Sequence, residues 1–317
     1  MKFPKLLVFL VVSLMISNFS WAEEAVQANA DIQIANGSSS GIYAQITKEI
    51  KQVCGDQISI SEVKDTSGAI ENLDRMLSND ANAAFLHSDV LSYRGKTEDL
   101  SNIKTLLALF PEDIHFLAMN KPYEIVQGPF GMQKKTYNIE SISDLGGLAV
   151  GAAGGGFISS NVIRLQAEIP YTVIQFNSGK EVIQALNDGK IAAGVFVGPA
   201  PLPNLKDLGK EYKLLNITDT TIDKLKSVYK KSTVMYTKMS PLAVQTVAAD
   251  DLLITRDYKS KKHIEALTKL RACVQNSLNE ESTSGPVLKE TIGFHKAWQK
   301  VDINNRGKWD WYSPDSK

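Results

Sequence analysis

Hydrophobic and polar positions along the chain trace one pattern twice. Asp31 to Ala35 alternates in the manner of a half-buried strand, with Ile32 and Ile34 on one side. The polar loop Asn36-Gly37-Ser38-Ser39-Ser40-Gly41 follows. Ile42, Ile46, Ile50 and Val53 then repeat at helical spacing and predict an amphipathic helix. A strand at Ile58 to Ile60, a turn at Thr66-Ser67-Gly68, a helix through Ile70, Leu73 and Leu77, and a strand at Ala83 to Leu86 complete the first copy. The second copy runs through a strand at Leu148 to Val150, the loop Gly151 to Gly156, and a helix carrying Val162 and Leu165. A strand at Tyr171 to Ile174 leads to Ser178-Gly179-Lys180-Glu181, a capping-box pattern, and to a helix carrying Val182, Ile183 and Leu186. That helix stops at Gly189, before a buried strand at Ile191 to Val197.

Strands alternating with helices predict parallel βαβ units with helices on both faces of a sheet. Two such units predict two α/β lobes across a cleft, with binding loops at the carboxyl ends of the strands. Leu106 to Asn120, read with a turn at Pro111-Glu112-Asp113, is the expected first crossover between lobes. Asp251 to Thr255 is the expected return. From His263 onward the chain reads as helices, with Ala266, Leu267, Leu270, Cys273 and Val274 on one stripe. The expected division is residues 1–22 as a leader, 23–117 as the first part of lobe 1, 118–246 as lobe 2, and 247–317 as the return to lobe 1 with terminal helices.

The N-terminus sets the expected compartment. Lys2 and Lys5 precede an apolar run from Leu6 to Ile16, and Ser20-Trp21-Ala22 ends it with small residues. This is a secretory signal pattern with cleavage expected after Ala22. The run is too short to span ~30 Å of hydrocarbon. The chain of 317 residues holds 35 basic and 35 acidic residues, which excludes a strongly basic nucleic-acid binder. Cys54 and Cys273 are the only cysteines. In an exported chain they are expected to pair, two separate buried thiols being the alternative.

Candidate chemistry concentrates in the loops. Gly37-Ser38-Ser39-Ser40-Gly41 matches G-x-S-x-G, which would make Ser39 a hydrolase nucleophile. Against this, no upstream strand and loop supplies an oxyanion hole. His87, His115, His263 and His295 lie in no catalytic context, and the second copy has no matching serine. The binding alternative uses free amides at helix starts, which attract a carboxylate or phosphate. It makes Ser38, Ser39, Ser40, Gly41 and Tyr43 candidates, with His87, Ser88 and Asp89 at the next strand end. Ser88 or Asp89 could equally cap the following helix. The rim at Gly198 to Pro203 would be stiffened by its prolines. Arg94 and Arg164 are possible carboxylate partners. Trp309 and Trp311 are read as packing residues. A GxxxxGK[ST] loop, a GxGxxG loop and a metal-ligand cluster are missing from the sequence, and no cofactor is expected.

These loops, together with Ser67 to Leu73, Leu86-His87-Ser88-Asp89-Val90, Ser143 to Gly147 and Ala185 to Ala193, resemble the TAXI solute-binding proteins of tripartite (TRAP) transporters. The resemblance covers most of the chain beyond the leader. It implies a type II periplasmic-binding fold and a cleft ligand of the glutamate, glutamine or organic-acid class. It also implies delivery to the membrane permease subunits of a TRAP transporter. Ligand contacts would map to Ser38, Ser39, Tyr43, Ser67, Gly68, His87, Ser88 and Gly154, Gly155, Gly156 and Phe157. The first loop departs from the family in being serine-rich, and His87 stands where glutamine is expected. Tyr123 to Tyr137, with Gly128-Pro129-Phe130-Gly131, resembles an added hairpin. The function expected is a periplasmic receptor for a small anionic or amino-acid-like ligand, acting as a monomer. A stand-alone ligand sensor and a serine hydrolase at Ser39 are the alternatives.

Overall fold

A computed structural model describes residues 31–39, 41–127 and 133–313. Residues 1–30 (the leader among them), Ser40, residues 128–132 and residues 314–317 lie outside the described residues. The chain forms the strands β1 (Ile32–Ala35), β2 (Ile60–Val63), β3 (Ala83–His87), β4 (Ile103–Met119), β5 (Tyr123–Gln127) and β6 (Gln133–Tyr137). It continues with β7 (Ala149–Ala153), β8 (Thr172–Phe176), β9 (Ala193–Gly198), β10 (Tyr212–Leu214), β11 (Lys230–Val234) and β12 (Val244–Arg256). The helices are α1 (Ile42–Cys54), α2 (Ala69–Leu77), α3 (Ser88–Arg94), α4 (Gly155–Ala167), α5 (Gly179–Asn187), α6 (Asp219–Leu225), α7 (Lys261–Asn276) and α8 (Val287–Glu290).

The two copies fold alike. β1 lies between β2 and β3, parallel to both, and β7 lies between β8 and β9 in the same way. Each βαβ crossover thus returns its strand to the flank of the first. Two long strands join the copies. β4 pairs with β12 over its first half and with β9 over its second. β12 pairs with β3 at its C-terminal end and with β11 at its N-terminal end. The result is a two-lobed α/β fold with a mainly parallel sheet in each lobe and two crossing strands between them.

Pro111-Glu112-Asp113 is not a turn. It lies inside β4, with Pro111, Glu112 and Asp113 opposite Asp250, Ala249 and Ala248. Proline has no N–H to donate, and the register shifts between Asp250 and Leu252 beside it. Partners on both edges override the local turn signal. β2 lies at Ile60–Val63, beyond the expected Ile58 to Ile60. The Ser178 hydroxyl accepts from the Glu181 amide at 3.3 Å, but Glu181 reaches back to Asn177 N–H, one residue before the cap. The expected terminal helices reduce to α7, the short α8 and a 3-10 turn at Lys296–Lys300. Beyond these, an extended tail pairs Thr105 with Trp311. Tyr123 to Tyr137 forms the antiparallel hairpin β5–β6.

Ile34, Ile46, Ile50, Phe85, Leu267 and Leu270 form one buried cluster against the first sheet. A second cluster runs from Leu73, Leu86 and Leu91 to Ile158, Val162 and Tyr171, so it is shared by both lobes. Cys54 and Cys273 are bridged, with Cα atoms 6.0 Å apart. The bridge ties the end of α1 to α7 across 219 positions of sequence. None of the described helices is long and apolar enough to cross a membrane.

Candidate functional site

The carboxyl ends of β1, β2, β3, β7, β8 and β9 converge on one cleft of about 440 Å³. Lobe 1 supplies Asn36, Gly37, Ser38, Tyr43, Thr66, Ser67, Gly68 and His87. Lobe 2 supplies Gly154, Gly155, Asn177 and Val197, and Glu112 enters from the crossing strand β4. Thirteen-residue helices begin beside the cleft from each lobe, α1 after Gly41 and α4 after Gly154. Their free N–H groups and dipoles bring partial positive charge to that space.

The loops are held by a buried amide. Asn72, on the inner face of α2, donates to the Phe85 carbonyl at 2.8 Å. Its Oδ1 accepts from the Gly37 amide at 3.2 Å and from the Thr66 hydroxyl. One side chain therefore fixes the first loop, the second loop and β3 in register. The Ser67 amide donates to Glu71 at 2.8 Å, and this contact holds the Glu71 carboxyl below its ordinary range.

His87 lies at the centre of a buried polar cluster in lobe 1. It is 2 % exposed, and its Nδ1 contacts Asp89 Oδ1. Burial opposes a charged imidazole, but the charge and hydrogen bond of Asp89, with the charge of Glu112, overcome it and raise the His87 pKa. Asp89 is fully buried. Burial pushes its carboxyl up, and His87, Ser159 and Tyr229 together bring it below the usual range. The hydroxyls of Ser159 and Tyr229 each donate to Asp89 Oδ2 at 2.6 Å. Asp89 thus joins α3 of lobe 1 to α4 of lobe 2. With Nδ1 committed, His87 Nε2 is buried and has no hydrogen-bond partner. A β-carbon at Gly155 would lie 2.5 Å from it, so this nitrogen points at the start of α4.

Glu112 is 4 % exposed. Burial raises its pKa, with His87 and Tyr43 opposing and Asp89 and Asp113 adding to the rise. Behind it, Asp251 is fully buried, and burial and Glu112 push its carboxyl well above the usual range. Tyr43 lies beside both acids, stacks on Phe85 at 5.3 Å and is pushed up by burial. The described lining contains no lysine or arginine.

The structure brings together Ser38, Tyr43, Ser67, Gly68, His87, Gly154 and Gly155. Four other candidates fall elsewhere. Ser39 is exposed off the cleft wall, and its amide faces Asp65 at 3.4 Å. Ser88 Oγ accepts from the Asp250 amide at 3.2 Å, which makes it a strut to β12. Gly156 packs against β9, where a β-carbon would meet the Val195 carbonyl at 2.5 Å. Phe157 packs on the shared core. Ser40 lies outside the described residues. Arg94 pairs with Asp74 and Glu98, and Arg164 bonds Asn161, so neither lines the cleft. Trp309 donates to the Ile103 carbonyl at 2.9 Å and Trp311 lies under Arg306, both away from it. Asn36, Thr66, Glu112 and Asn177 line it although the sequence did not single out Asn36, Glu112 or Asn177 as ligand contacts. Glu112 lies in β4 and Asp251 in β12, far apart in sequence, so no spacing signal links them.

Residues 34–276 match the model of the NMT1-like family. The chain belongs to the NMT1-like family. No curated protein matches it. Among solved structures it is similar to the second substrate-binding domain of a putative amino acid ABC transporter from Streptococcus pneumoniae. Identity there is 16%, over 77% of this chain and 93% of that one, with a TM-score of 0.39. It is also similar to an ancestral arginine-binding protein bound to arginine, at 14% identity over 83% and 98% of the chains and a TM-score of 0.49. The GluR0 ligand-binding core from Nostoc punctiforme with L-glutamate is similar at 16% identity over 76% and 93%, with a TM-score of 0.45. In this NMT1-like chain, Ser39 lacks the setting of a hydrolase nucleophile. His87 turns its Nδ1 to Asp89, His115 bonds Tyr236 at 3.0 Å, His263 stacks on Tyr258, and His295 caps Ala297. None of the four histidines is placed to activate Ser39.

Proposed function

We propose that this chain is an extracytoplasmic receptor that captures a small anionic or amino-acid-like solute between its lobes. The observation that carries this reading is the unpartnered His87 Nε2 facing Gly155 at the start of α4. A buried polar atom without a partner costs about 1–3 kcal/mol, and a ligand oxygen reaching it when the lobes part would satisfy it. Ser38, Tyr43, Ser67, Gly68 and Gly154 form the surrounding wall. Residues 23–117 and 247–317 act as one lobe and residues 118–246 as the other, closing about β4 and β12. The leader at residues 1–22 directs export to the periplasm. The receptor acts as a monomer and delivers its solute to a membrane permease. The resemblance of its loops to TAXI proteins favours a TRAP permease as that partner.

A thermal-shift screen with amino acids, dicarboxylates and hydroxy acids tests the receptor reading. A true ligand at a hundredfold excess over its Kd adds about 2.7 kcal/mol of stability. No shift with any of these solutes contradicts it. Co-purification with the large fused permease of a TRAP system tests the partner, and capture of an ABC permease subunit contradicts it.

A further inference from the structure

Glu112 is a buried carboxylate on the wall of the cleft, and no lysine or arginine side chain lines that wall to balance it. Its neighbours add to the imbalance. Asp89 and Asp251 are fully buried close by, and Tyr43 lies against Glu112 and Asp251. His87 is a cationic partner of both Asp89 and Glu112. Its Nδ1 is committed to Asp89, so Glu112 shares the charge of His87 and does not have a cation of its own. A buried charge lacking a counter-charge is costly, and a bound cation removes that cost.

His87 brings the opposite sign to the same part of the cleft as Glu112. His87 Nε2 is buried, unpartnered and aimed at Gly155, where the N-terminus of α4 adds its own partial positive charge. An imidazole nitrogen with helix amides lies near the carboxyl group of Glu112, so groups of both signs meet at one place.

We propose that Glu112 is a specificity-determining residue that takes a positively charged nitrogen of the ligand, while His87 Nε2 and the Gly154–Gly155 amides take its carboxylate. This rests on the receptor reading above and narrows it. Ligands carrying both an ammonium and a carboxylate bind, and organic acids lacking the nitrogen do not. Glu112 also lies on β4 opposite Ala249 of β12, so the ligand nitrogen is read at the crossing strands themselves.

The test is isothermal titration of the exported chain with L-amino acids and with the matched 2-oxo and 2-hydroxy acids, which differ only in the nitrogen. The expected result is saturable binding of at least one amino acid, and binding of its oxo and hydroxy analogues weaker by about tenfold or more. Glu112→Gln, which keeps the shape and removes the charge, is expected to lose a similar factor for the amino acid only. Equal binding of an amino acid and its 2-oxo analogue overturns the proposal and leaves the receptor reading intact. That comparison uses the unaltered chain, so it does not depend on how the variant folds. Absence of binding by every amino acid and every organic acid overturns both.

Discussion

A β-carbon on Gly155 would lie 2.5 Å from Nε2 of His87, so the two lobes touch at a point where only glycine fits. His87 cannot simply swing aside. It is 2 % exposed, and Asp89 holds its other ring nitrogen. Gly155→Ala is therefore expected to destabilise the chain by about 1–3 kcal/mol, the usual range for overpacking. Chemical denaturation checks this. An unchanged midpoint would show that the lobes part freely at this contact.

The two buried histidines of the crossing region should titrate in opposite directions. Burial lowers the pKa of His115 to about 4. His87 is raised above its ordinary 6.5 by Asp89 in spite of burial. Side-chain NMR should show His115 neutral and His87 protonated at pH 6. Because the folded pKa of His87 is raised, its stabilising contribution is full below about pH 6.5 and is lost as pH rises through the folded value. Asp89 is lowered, so its contribution is present above about pH 4 and is lost as pH falls through the folded value. Stability measured across pH should show both losses, and His87→Gln should abolish the alkaline one.

Asn72→Ala removes a buried amide that serves Gly37, Thr66 and Phe85 together. Three backbone or hydroxyl groups lose their partner, and a loss of about 2–4 kcal/mol is expected. Hydrogen exchange should quicken at Gly37 and in the loop at Thr66. Exchange unchanged at Gly37 would contradict the role given to Asn72.

Reducing the Cys54–Cys273 bridge frees a loop of 219 residues. The chain-entropy account assigns roughly 5 kcal/mol to a closure of that size. The unreduced, unfolded chain should contain no free thiol, and reduction should lower its melting temperature. Two titratable thiols would refute the bridge.

The repeated βαβ pattern was legible because Ile32, Ile34, Ile46 and Ile50, like Val182 and Leu186, keep strict spacing on faces that become buried. Loops at strand ends follow from that order, so Ser38, Ser67, His87 and Gly154 could be placed near a cleft. Glu112 could not. Pro-Glu-Asp reads locally as a turn, and only pairing to β12 and β9 keeps the segment extended. Ser39 and Ser88 were named for loop membership, yet side-chain direction within a loop depends on contacts such as Ser88 to Asp250 that spacing does not encode. Asp89 carried a hint in its position two residues after His87. Its bonds to Ser159 and Tyr229 come from segments 70 and 140 residues away.

The receptor reading requires that the cleft lined by Ser38, Ser67, His87, Glu112 and Gly155 hold the solute. Isothermal titration of the wild-type chain and of Gly155→Val with one amino acid identified by thermal shift tests it most directly. Saturable binding at one solute per chain is expected in the wild type, and none in a folded Gly155→Val variant. Equal binding by both chains would contradict it.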